Sequence, residues 1–87
     1  MEKFDVIRLL SDVNRFNIFM KLMEYDELCV SEIESLIGIK QANTSKHIKS
    51  FKELGILNSR REKNMIKYSI KDSFLDEQES LIIYLMS

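Results

Sequence analysis

Two glycines and no proline punctuate this chain of 87 residues, and where they fall constrains the fold more than any other feature. Gly38 and Gly55 each follow an apolar-periodic run, where a residue able to take a left-handed backbone conformation ends a helix. Between them the spacing predicts a turn through Ile39 and Lys40 and one helix from about Gln41 to Leu54. Its inward residues are Ile48, Phe51 and Leu54, and its outward ones Asn43, Lys46, Lys49 and Ser50.

The segments on either side complete the outline. Phe4, Val6, Ile7 and Leu10 make the stripe of a short first helix; Ser11 and Asp12 are N-cap candidates for a second, in which Phe16, Phe19, Met20 and Met23 recur until about Glu24 to Asp26. Glu27-Leu28-Cys29-Val30 reads as a single strand rung, and Ser31-Glu32-Ile33-Glu34 has the pattern of a capping box for a third helix ending at Ile37. After Gly55, a strand from Ile56 to Arg60 or Arg61, a polar tip Glu62-Lys63-Asn64 and a return Met65–Ile70 make a hairpin, with Ile66, Tyr68 and Ile70 in period two. Asp72 and Ser73 then cap a last helix striped by Phe74, Gln78, Leu81 and Leu85 and widened by Leu75 and Ile82. The fold class expected is mainly α with a β-hairpin wing, in the order α-α-(β)-α-α-β-β-α. Residues 1–87 form one domain, small enough to expect help from a partner subunit.

Charge is concentrated in the same central region. Lys40 to Lys71 carry nine Lys/Arg against two acids, while residues 1–39 have four basic and eight acidic side chains and residues 72–87 have four acids and no base. A formal net charge of −1 conceals this polarity, and phosphate binding responds to local cation density. Two short helices joined by a glycine turn, the second cationic and polar outward, form a helix-turn-helix, and the hairpin supplies a wing. A helix of this kind enters the major groove of double-stranded DNA, where amides pair with adenine and hydroxyls serve several bases. Gln41, Asn43, Thr44 and Ser45 lie in its first turns as base-contact candidates, and Lys46, Lys49, Arg60, Arg61, Lys63 and Lys67 as phosphate contacts. The competing readings are a merely solvated charged face and a winged-helix module that regulates through another protein.

Leu10-Ser11-Asp12-Val13-Asn14-Arg15-Phe16-Asn17-Ile18-Phe19, Glu27-Leu28-Cys29-Val30-Ser31-Glu32-Ile33, Gln41-Ala42-Asn43-Thr44-Ser45-Lys46-His47-Ile48, Leu54-Gly55-Ile56-Leu57 and Tyr68-Ser69-Ile70 resemble, in order and spacing, the ArsR/SmtB repressors over about residues 8–71. The resemblance implies a winged-helix homodimer that represses transcription from a palindromic operator and releases it on a chemical signal. It also implies dimerisation through the first and last helices, whose residues here are Phe4, Ile7, Phe74, Gln78, Leu81, Ile82 and Leu85. DNA contact carries over to Gln41, Asn43, Ser45 and His47, and wing contact to Arg61 and Lys63. Three positions depart from the family pattern: Lys40 replaces a frequent Ser N-cap, Thr44 stands where an apolar residue is usual, and Lys63-Asn64 replaces glycine at the wing tip.

The sensor is not legible. The arsenic-type relatives need a Cys-x-Cys pair, and here the second position is Ser31; the zinc type needs His on the last helix, which has none. No metal or cofactor is therefore expected. Cys29, the one cysteine, reads as a small core residue, a thiol switch acting between subunits, or a residual metal ligand. His47, the one histidine, reads as a DNA or intrahelical hydrogen-bonding group in preference to a ligand. Asn14 and Arg15 either touch phosphates or hold helices together, and Tyr25 and Tyr84 read as packing residues. No nucleophile, base and oxyanion set points to an enzyme. A cytoplasmic address is expected, because no apolar run reaches membrane-spanning length and the N-terminus lacks signal-peptide character.

Overall fold

The computed structural model describes residues 2–87. In chain order it contains helices α1 (Lys3–Leu10), α2 (Val13–Glu24), α3 (Val30–Ile37) and α4 (Gln41–Glu53), strands β1 (Leu57–Glu62) and β2 (Met65–Ile70), and helices α5 (Asp72–Glu77) and α6 (Glu79–Met86). Helix α2 is the centre of the packing and lies against α1, α3 and β2. Its Ile18, Phe19 and Leu22 meet Val6, Ile33, Ile48, Phe51 and Ile56 in a core closed to solvent.

Both glycines act as their positions require. Gly38 takes φ 81° at the end of α3 and donates its N–H to the Glu34 carbonyl at 2.7 Å. Gly55, at φ 70°, donates to Lys52 O at 2.9 Å, while Ile56 N–H reaches back to Phe51 O at 3.3 Å. That reciprocal pair is a Schellman motif, and the buried Ile56 beyond it is its hydrophobic contact. Helix α4 is thus stopped, and the strand launched, by one residue.

The hairpin pairs Leu57 with Ile70 through to Glu62 with Met65. Glu62 therefore belongs to the strand, and the tip is the two residues Lys63-Asn64. Lys63 adopts φ 55°, the left-handed conformation that glycine supplies freely in such turns. The expected single rung is present: Leu28 and Tyr68 exchange both backbone hydrogen bonds, at 3.0 and 2.9 Å, which seats the α2–α3 connection along the outer edge of β2.

Two local expectations are corrected. Helix α3 is capped at Cys29 and not Ser31, because the Glu32 carboxylate returns to the Cys29 N–H at 2.9 Å and draws Val30 and Ser31 into the first turn. The last helix is two helices. Lys71 precedes α5 without a side-chain cap bond, Asp72 lies in the first turn, and the chain bends at Gln78 (φ −108°, ψ 26°). Across the bend Phe74, Gln78 and Ile82, four residues apart, face the interior. There the Phe74 ring meets Phe19 edge-on, 6.3 Å between centroids and 78° between planes.

Candidate nucleic-acid interface

Along α4 the buried residues are Thr44, Ile48 and Phe51, spaced four and three apart, so one stripe of the helix is committed to the core. Gln41, Asn43, Ser45, Lys46 and Lys49 are exposed, Gln41 because it opens the helix and the others because they lie off that stripe. Amides and one hydroxyl thus lead, and Lys46 and Lys49 follow. Lys40 precedes the helix with no side-chain cap bond, which leaves the first-turn N–H groups open to an outside acceptor.

Thr44 is corrected from the base-contact set. It is fully buried, and its hydroxyl donates to the Lys40 carbonyl at 3.1 Å, a bond within the helix that lets a polar side chain fill an apolar place. His47 is half-buried, and its Nδ1 is enclosed without a hydrogen-bond partner among the described residues; the intrahelical bond expected there is not made at that atom. Arg15 donates its Nε–H to the Leu9 carbonyl at 2.6 Å, so it ties α2 to the end of α1. The Asp12 carboxylate caps α2 by accepting from the Arg15 backbone N–H at 3.0 Å, and that bond is the main reason the carboxyl lies below its ordinary range.

The hairpin cations separate by face. Residues opposite one another in an antiparallel pair share a face, and faces alternate along the strand. Ser59, Arg61, Ile66 and Tyr68 share one face by register, and Arg60, Glu62, Met65 and Lys67 the other. On the second face Arg60 gives Nε–H to Glu27 Oε2 at 3.0 Å and Nη2–H to Glu27 Oε1 at 2.7 Å, with Glu62 at 3.3 Å. Lys67 donates to Glu32 Oε1 at 2.9 Å and is only 15% exposed. Within the fold Arg60 and Lys67 are therefore internally paired cations. Lys46, Lys49, Arg61 and Lys63 have no ion pair among the described residues.

Glu32 is held down to about 2, first by the Cys29 N–H and then by Lys67. Its folded value lies below its ordinary 4.5, so its stabilisation is complete above that value and is lost as pH falls towards 2. Urea midpoints taken from pH 5 to 2 are expected to fall for the wild type and to fall less steeply for Glu32→Gln; parallel acid arms would contradict the assignment.

Cys29 is buried at the α3 N-cap, its Sγ 3.2 Å from Ser31 Oγ. Among the described residues no three His, Cys, Asp or Glu side chains group as a metal site would need. No helix among them is long and apolar enough to cross a membrane.

The residues expected at a subunit contact divide as well. Phe4 and Ile7 are exposed, Leu81 and Leu85 are half-buried, and Phe74, Gln78 and Ile82 are corrected to interior positions. The exposed apolar face of α6 is instead Ile83, Tyr84 and Met86, with Tyr84 77% exposed; Tyr84, and Tyr25 at 43%, are not the packing residues expected. The stripe that periodicity gives is the inward one, with Phe74, Gln78 and Ile82 buried four residues apart; it packs inside the protomer, and the face left exposed lies beside it.

A family model described as bacterial regulatory protein, arsR family, matches residues 12–59, from the cap of α2 into β1. The cadmium resistance transcriptional regulatory protein CadC of Listeria innocua is 40% identical over 65 residues, which cover 75% of this chain and 55% of that protein. The arsenical resistance operon repressor of Escherichia coli is 28% identical over 65 residues, 75% of this chain and 56% of that one. The transcriptional repressor BigR from Xylella fastidiosa has the same fold, with a TM-score of 0.76 at 25% identity over 95% of this chain and 84% of that one. The chain spans about 55% of the length of the first of these curated relatives. With more than half of its residues matched by the family model, and with the helix-turn-helix and wing in place, this chain belongs to the arsR family of bacterial regulatory proteins.

Proposed function

We propose that this chain is a sequence-specific regulator that binds double-stranded DNA, two copies on one palindromic operator, and represses transcription there. The observation that carries the reading is the exposure of the first turns of α4, where Gln41, Asn43 and Ser45 precede Lys46 and Lys49. The neutral amides and hydroxyl read base edges, and the cations, with Arg61 and Lys63 of the wing, set register on phosphates. Half-buried His47 follows on the same helix and is included among the contacts. Residues 1–87 serve as one DNA-binding and dimerisation unit in the cytoplasm, without catalytic activity.

The cadmium named in the relative's description does not carry over to these residues. A soft ion asks for several thiolates, and the described residues offer Cys29 with a serine hydroxyl beside it.

Mobility shift over a salt series, with duplex containing the protein's own promoter, tests the reading. Gln41→Ala is expected to cost about 1–3 kcal/mol of binding and to relax preference at one position; Lys63→Ala weakens all sequences alike and lowers the salt slope by about one. Absence of a shift, or the same behaviour from both variants, contradicts the division of labour.

A further inference from the structure

Arg60 and Lys67 face each other across the hairpin in register, and two like charges so placed repel. Each is answered by a carboxylate from outside the hairpin, 33 and 35 residues away in sequence. Leu28 pairs with β2 on the edge away from β1, so the Arg60 guanidinium spans β2 to reach Glu27. It does so with two N–H groups on the two carboxylate oxygens, the paired geometry with which arginine also takes phosphate. Lys67 meets a carboxylate that the Cys29 N–H already holds in place. Arg61, on the other face, and Lys63, at the tip, have no such partner among the described residues.

We propose that Glu27 and Glu32 act as internal stand-ins for phosphate, withdrawing Arg60 and Lys67 from DNA and confining the wing's sequence-independent hold to Arg61 and Lys63. The proposal rests on the DNA-binding reading above. Non-specific affinity follows the number of phosphates neutralised, whereas specificity is the ratio of specific to non-specific binding. Two cations answered inside the fold weaken the hold on all sequences alike and leave that ratio to the base contacts of the reading helix, which is untouched. Both carboxyls lie below their ordinary range, Glu27 through the Arg60 bonds and Glu32 through the Cys29 N–H and Lys67, so the pairs are intact at neutral pH.

The test is the salt dependence of binding to a duplex of unrelated sequence, with thermal melts confirming that each variant folds. Lys63→Gln is expected to lower the slope by about one and Arg60→Gln to leave it unchanged. Glu27→Gln should steepen the slope by about one and tighten binding to unrelated duplex by about tenfold at about 50 mM salt. Glu32→Gln, whose amide oxygen still accepts from the Cys29 N–H, should do the same through Lys67 and decides the matter where Glu27→Gln fails to fold. A slope lowered by Arg60→Gln, or unchanged in the folded glutamate variants, overturns the proposal while leaving the DNA reading intact. No binding by the wild type to any duplex overturns both.

Discussion

Phe74→Ala is expected to lower stability by about 3–5 kcal/mol, measured as urea unfolding, because the ring is removed from a packed interior that closes only partly over the space. Phe74 is 3% exposed and stands edge-on to Phe19 at 6.3 Å, so its loss removes an aromatic pair as well as buried area. An interface residue behaves otherwise: its truncation loosens subunits and spares the fold of each. The same measurement on Tyr84→Ala supplies the contrast, with little change in the protomer's own unfolding. A loss below about 1 kcal/mol at Phe74 would return that residue to the subunit contact.

Phe4→Glu combined with Tyr84→Glu is expected to give a monomer by sedimentation and to reduce operator affinity by at least about 100-fold. Phe4 and Tyr84 are 67% and 77% exposed, and Ile7, Ile83 and Met86 accompany them. Covering such apolar area by a second copy is favourable, and a charge placed in it opposes the contact. The effect on DNA is large because two linked reading helices bind as one ligand, with an advantage of about 10²–10⁴ over the separate halves. A monomeric double variant that holds its operator as tightly as the wild type would refute dimeric binding through these helices.

Most of the architecture was legible along the chain. Gly38 and Gly55 end their helices in left-handed conformations, the Leu28 rung pairs with β2, and the hairpin forms with Ile66, Tyr68 and Ile70 on one face. The errors came where one local pattern competed with another. Ser31-x-x-Glu34 and Cys29-x-x-Glu32 both offer a capping pair, and the second prevails, with the Glu32 carboxylate on the Cys29 N–H. The hydroxyl of Thr44 suggests a base contact, while its place four residues before Ile48 and seven before Phe51 puts it on the inward stripe, and the spacing prevails.

Backbone sterics and the helix and strand periods act between near neighbours, so order, type and approximate limits of the elements can be read from spacing alone. The accessibility of a charge cannot. Nine basic residues lie in one block of sequence, yet Arg60 and Lys67 are answered by Glu27 and Glu32. Those partners come within reach because the Leu28 rung lays a distant segment beside the hairpin. Likewise, which apolar side chains of the last two helices are buried inside the protomer, as Phe74 and Ile82 are, and which stay exposed, as Ile83 and Tyr84 do, is settled by what they pack against. Electrostatic pairing and burial are through-space quantities, and their values are fixed when segments far apart in the chain pack together.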